Sequence, residues 1–195
     1  MQEKERIIVQ ELIARATIPP PTLRQELNHF LNVWEWLLRL SPDAERSLRY
    51  AALLHDCDRL FPSRAKRQKD FRNYERYKRA HAKNCVVIAD AILKKAGVGA
   101  PVREKTAALI GDHEWGTAAD AYTLMAADSL SFFEVNLPDY FRERGKRATA
   151  RKIAFMHDRL KPKERRRLTT EDFLFKHMPK LHRLFVRVTR RHARA

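Results

Sequence analysis

His55-Asp56 is the first pair in the chain that suggests chemistry. An apolar run, Tyr50-Ala51-Ala52-Leu53-Leu54, leads straight into it. Both groups are costly to bury unless matched. The pair is therefore a solvated helix terminus or the holder of something that offsets the desolvation, such as a metal ion. Three more histidines stand in comparable places. His29 lies in line with Val33, Trp36 and Leu40, and His81 heads the line Cys85, Ile88, Ala89, Ile92. His113 follows Leu109 and Ile110 at i+4 and i+3, and Asp128 follows Ala121, Leu124 and Met125 at i+7, i+4 and i+3. Each has a bland reading by itself: a hydrogen-bonded core histidine, or an aspartate paired with an arginine. Five helices that each turn an ionisable group toward a common core are hard to explain as coincidence. Neutral imidazole and carboxylate suit Zn, Mn, Fe, Co or Ni. Four nitrogen and two oxygen ligands exceed one tetrahedral zinc site and fit two ions sharing a bridging carboxylate.

The elements that must position these groups read as helices. Only 5 glycines occur in 195 residues, Ala, Leu, Arg, Lys and Glu abound, and no alternating run bounded by turn residues suggests a strand. The N-terminus, MQEKERIIVQELIARA, reads as a short amphipathic helix, followed by a stiff break at Pro19-Pro20-Pro21. The first core helix is expected over about 23–40, with Leu23, Leu27, Phe30, Leu31, Trp34 and Leu38 at helical spacing. Ser41-Pro42-Asp43 is expected to start the second, which runs through His55. Residues 59–70 read as a basic loop. A third helix spans about 71–96 and stops at Gly97, and a fourth runs from Ala100-Pro101 to about 112. A fifth runs from Thr117 to about 136. A short sixth starts at Leu137-Pro138-Asp139, another lies near 147–160, and a last apolar stretch is broken at Pro179. Trp34, Trp36, Phe132 and Phe133 read as core.

The net charge of +16 is unevenly placed: residues 59–83 hold 10 basic and 2 acidic side chains, and residues 141–195 hold 19 and 5. Such clusters attract phosphate-bearing partners, although a solvated surface is the plain alternative. Cys57 and Cys85 show no disulfide or CxxC pattern and read as small core residues. No apolar run reaches membrane-spanning length and no signal peptide is evident, so a cytoplasmic protein is expected.

The ordered segments NHFLNVWEWLLRL, AALLHDCDRL, AHAKNCVVIADAIL, ALIGDHEWG and LMAADSLSFF resemble the HD-domain metal-dependent phosphohydrolases over about residues 23–137. The resemblance implies an all-α, HD-domain-like helical bundle with additional C-terminal helices. It divides the chain into an N-terminal helix and break (1–21), a metal-binding core (22–140) and a basic extension (141–195). It implies that His29, His55, Asp56 and Asp128 are core metal ligands, with His81 and His113 the extra pair of binuclear branches, where Asp56 bridges two ions. Arg59 stands where such branches often carry a lysine near the substrate phosphate. The GYP signature of the cyclic-dinucleotide branch is absent, and so is the glutamate of the nucleotidase branch near Arg59.

These implications define an expected activity: hydrolysis of a phosphate ester or anhydride, of a nucleotide, by metal-activated hydroxide. The cofactor is one or two divalent ions of Mn, Fe, Co, Ni, Zn or Mg, which neutralise phosphate oxygens and lower the pKa of a bound water from ~15.7 toward ~7. Asp56 and Arg59 carry the catalytic roles, and Arg59, Lys83 and Trp115 face the substrate. Lys66, Arg67, Lys69, Arg72, Arg76, Lys78 and Arg79 draw a polyanion to the mouth. Asp58, Asp112 and Glu114 are candidate supporting acids or ordinary surface groups. The competing reading is a basic all-helical module that binds nucleic acid through residues 141–195, with a structural or vestigial metal site.

Overall fold

A computed structural model of the chain describes residues 1–63 and 65–192. The described residues are mostly helical, with no strand among them, so the expected all-α class holds. None of their helices is long and apolar enough to cross a membrane. The chain divides into two compact units, Met1–Met125 and Ala126–Ala195.

The first unit contains α1 (Glu3–Arg15), α2 (Pro20–Leu40), α3 (Arg46–Leu54), α4 (Tyr74–Lys95), α5 (Ala100–Asp112) and the first half of α6 (Ala119–Ser131). Here α2 packs on α3, α5 packs on both α3 and α4, and α1 lies against α3 and α4. The ends follow local chemistry. Pro20 opens α2, where its missing N–H costs no hydrogen bond. Asn73 caps α4, its side-chain oxygen accepting from the Arg76 N–H at 2.8 Å. At the far end of α4, Gly97 takes φ +70°. There Val98 N donates to Leu93 O at 3.0 Å and Gly97 N to Lys94 O at 3.1 Å, the paired bonds of a Schellman terminus.

Two expectations are corrected in this unit. Helix α3 begins at Arg46 rather than at Pro42, because residues 41–44 close a turn. Ala44 N donates to Ser41 O at 3.0 Å, and Pro42 fills the second turn position. On α2 the buried line is His29, Phe30, Val33, Trp36 and Leu37. Leu23, Leu27, Leu31, Trp34 and Leu38 are only half-buried. Two apolar stripes run side by side on this helix, and the one bearing His29 is the one that goes inside.

The second unit holds the rest of α6, a π-helical turn at Phe132–Asn136, α7 (Leu137–Asp158), α8 (Pro162–Thr170), a 3-10 turn at Leu174–His177 and α9 (Pro179–His192). Its core is aromatic. Phe175 stands 4.7 Å from Phe185, 5.7 Å from Phe173 and 6.3 Å from Phe133, between ring centres. The expected break between 137 and 147 is a kink inside α7 at Gly145, which takes φ +69°. Glycine alone adopts that backbone without strain. Pro179 does not interrupt the last helix; it opens α9.

Candidate metal centre

Helix α3 stops at Leu54, His55 closes it, and Asp56 leaves the helical backbone to start a 3-10 turn over Cys57–Leu60. The HD pair is therefore a helix terminus, but not a solvated one. His29, His55, Asp56, Asp58, His81 and His113 are each no more than 3% exposed. Helices α2, α3, α4 and α5 bring the four rings together. Ring centres are 5.5 Å apart for His29 and His55, 5.4 Å for His55 and His113, and 6.0 Å for His81 and His113.

Asp56 is the meeting point. Its Oδ1 lies 2.8 Å from His81 Nε2 and 3.7 Å from His113 Nε2, and its Oδ2 lies 3.5 Å from His55 Nε2. Arg59, one turn on, brings a guanidinium nitrogen to 2.5 Å from the same Oδ2. Burial raises the Asp56 carboxyl. The charge of Arg59 and the hydrogen bond from His81 oppose it, and the group is held well below the usual carboxylate range.

The histidines are oriented from behind. His55 Nδ1 donates to Ala52 O at 3.1 Å, and His113 Nδ1 donates to Ile110 O at 2.6 Å. Both residues close their helices, and both use a carbonyl three residues back. A carbonyl only accepts, so each ring carries a proton on Nδ1 and turns Nε2 toward Asp56, with a lone pair there in the neutral form. These two nitrogens lie 3.5 and 3.7 Å from the carboxylate oxygens. Those separations exceed a good hydrogen bond and approach the roughly 3.0–3.4 Å between donors that share one metal ion. The C-terminal ends of α3 and α5 add negative dipole ends beside the same point, which favours a cation.

His81 differs because it sits between two carboxylates. Its Nε2 donates to Asp56 and its Nδ1 donates to Asp58 Oδ2 at 3.1 Å. Burial lowers its pKa, but the bonds to Asp56, Asp58 and Cys85 more than reverse this and leave it raised. Asp58 also accepts from Asn84 Nδ2 at 3.1 Å. A carboxylate behind a histidine is the support a metal-ligating ring ordinarily has. Asp58 thus belongs to the centre and not to the surface. Asp56, His81 and His113 offer donor atoms all within 4.8 Å of one another, as do Asp58, His81 and Cys85. This buried His/Asp set could hold a metal ion.

Most of the remaining candidates have partners of their own. Asp128 lies on α6 in the second unit, largely buried, and its Oδ2 accepts from Arg159 at 2.9 Å, the pairing that its bland reading foresees. Arg59 is 46% exposed and also reaches Glu26 at 3.8 Å. Lys83 is exposed, two residues past His81 and so about 200° round α4. Trp115 is half-buried over the first turns of α4: its Nε1 donates to Glu75 at 2.8 Å, and Lys78 and Arg79 lie 5.0 and 5.1 Å from its ring. Lys78 is itself buried, 3.5 Å from Glu114 Oε2, so it is not a water-facing attractor. Asp112 is a structural cap that accepts from Thr117 and Ala118 backbone N–H groups at 2.8 and 3.1 Å. Cys57 and Cys85 are buried free thiols, and burial raises the Cys85 thiol.

Two supporting residues escape a search for ligand types. Tyr77 stacks on the His81 ring at 5.9 Å, and Asn84 holds Asp58. The available signal was their spacing from His81, at i−4 and i+3 on one helix.

No curated protein and no solved structure matches the chain. The family model described as a domain of unknown function, DUF4202, matches residues 13–173, and the chain belongs to that family.

Proposed function

We propose that the chain is a metal-dependent phosphohydrolase that cleaves a phosphate ester or anhydride of a nucleotide. Two things support this reading: the HD-type order of segments, and the gathering of His29, His55, Asp56, His81 and His113 in the first unit. The observation that carries it is Asp56, one buried carboxylate facing three imidazole nitrogens and an arginine.

Asp56 offers both oxygens, His55 and His113 offer Nε2, and His81 offers Nε2 where a metal ion displaces the proton it shares with Asp56. Asp58 fixes the His81 ring, and the Ala52 and Ile110 carbonyls fix the other two. A divalent ion bound there supplies charge neutralisation at phosphate oxygens and an acidified water. Arg59, with its side chain 46% exposed beside Asp56, grips a nonbridging phosphate oxygen with paired donors. The resemblance gives Asp128 a further ligand role.

Phosphate release should be screened over nucleotides, dinucleotides and simple esters with Mn, Fe, Co, Ni, Zn and Mg, with Asp56→Ala as control. Metal-dependent release by the wild type alone is the expected result. Equal release by the control overturns the reading.

A further inference from the structure

In the second unit, the exposed face of α9 carries a row of cations. Lys180, Arg183, Arg187 and Arg190 recur at spacings of three, four and three, which places them in one stripe along the helix. All four are exposed, whereas Leu181, Leu184 and Phe185 on the opposite side are buried. Lys180, Arg183 and Arg187 border a groove of about 500 Å³, together with Lys146 and Phe141 of α7 and the edge of Leu184. Among the described residues no carboxylate pairs with these four lining cations. The groove therefore combines four positive charges with one half-buried aromatic ring.

A strip of cations in a groove with an aromatic ring is what a sugar–phosphate strand needs: charges for its phosphates and a π-face for a base. Two alternatives fit less well. A basic amphipathic helix binds a lipid surface by inserting its apolar side, but that side of α9 is packed inside the unit. A duplex needs a convex element that enters its groove, and the cations here line a concave one. We propose that the α7–α9 groove binds single-stranded nucleic acid through its phosphodiester backbone, with Lys146, Lys180, Arg183 and Arg187 as phosphate contacts and Phe141 as a stacking platform. This site shares no residue with the Asp56 centre and does not rest on the activity proposed for it.

The test uses the full chain, in EDTA, and a fluorescein-labelled 12-nucleotide oligouridine RNA followed by anisotropy. Four phosphate contacts on a single strand predict a log–log salt slope of about −2.8, or about 50-fold weaker binding at 200 than at 50 mM salt. The double variant Arg183→Ala/Arg187→Ala should bind at least roughly tenfold more weakly at 50 mM, with the slope reduced to about −1.4. Both side chains are exposed, so its circular dichroism and melting should match the wild type. Lys94→Ala/Lys95→Ala, which removes two exposed cations from α4, should leave binding unchanged. The proposal is overturned if the two double variants lose affinity equally, if the slope does not change, or if a duplex of the same length binds as tightly as the single strand. Binding to phosphatidylserine vesicles with none to the RNA would assign the surface to lipid and overturn it as well.

Discussion

In the first unit a set of ionisable groups lies inside. His29, His55, Asp56, Asp58, His81 and His113 lie buried against one another, with apolar residues such as Phe30, Trp36, Leu54 and Ile110 in the same core. In the second unit the interior is built round Phe133, Phe173, Phe175 and Phe185, and most of the cations stand in water. The second region has the larger charge excess by sequence, yet the first holds the stronger case for chemistry. Exposed charge is cheap and needs no partner, whereas buried charge persists only where neighbours compensate it. What distinguishes the two regions is therefore the desolvation that their charges have undergone, more than how many charges there are.

Substitutions can break this contrast. The largest effect is expected from Asp56→Ala, which removes the group on which the imidazoles converge. Metal content and phosphate release should both fall to background, as read by elemental analysis and a phosphate assay. Phe175→Ala strikes the other core. It should lower stability by about 3–5 kcal/mol in a urea titration while leaving the metal content of the folded protein unchanged. Loss of metal in that variant would mean that the two regions are not separable as described. Asp58→Asn keeps the shape and a hydrogen bond to His81 but removes the charge behind it, so metal affinity should drop about 10–100-fold. An unchanged affinity would return Asp58 to the role of a merely structural acid. The smallest effect belongs to Lys83→Ala. An exposed cation on the far side of α4 acts only at long range, so kcat/KM should fall a few-fold at low salt and recover as salt rises.

The sequence made the helical class and the inward histidines legible because both depend on the 3.6-residue period. His81 with Cys85, Ile88 and Ile92, and His113 after Leu109 and Ile110, are buried as their spacing predicts. Periodicity failed where structure leaves the period. Asp58 lies in a 3-10 turn just past α3, where helical spacing no longer tells inside from outside. Pro42 fits a turn as well as a helix start, and local sequence does not separate the two. On α2 two adjacent apolar stripes were equally good candidates, and only packing against α3 selects the one with His29. Gly145 kinks α7 without ending it, and a lone glycine suits a kink and a terminus equally well. Lys78 looked like one more surface cation, but its burial depends on Glu114 and Trp115, residues far along the chain.

The most direct test of the central claim is elemental analysis of the purified protein after manganese or iron loading and desalting, beside Asp56→Ala and His81→Ala. The account predicts at least one tightly held ion per wild-type chain and a clear loss in both variants. Wild-type protein that retains no metal, or retains no more than Asp56→Ala does, would contradict it.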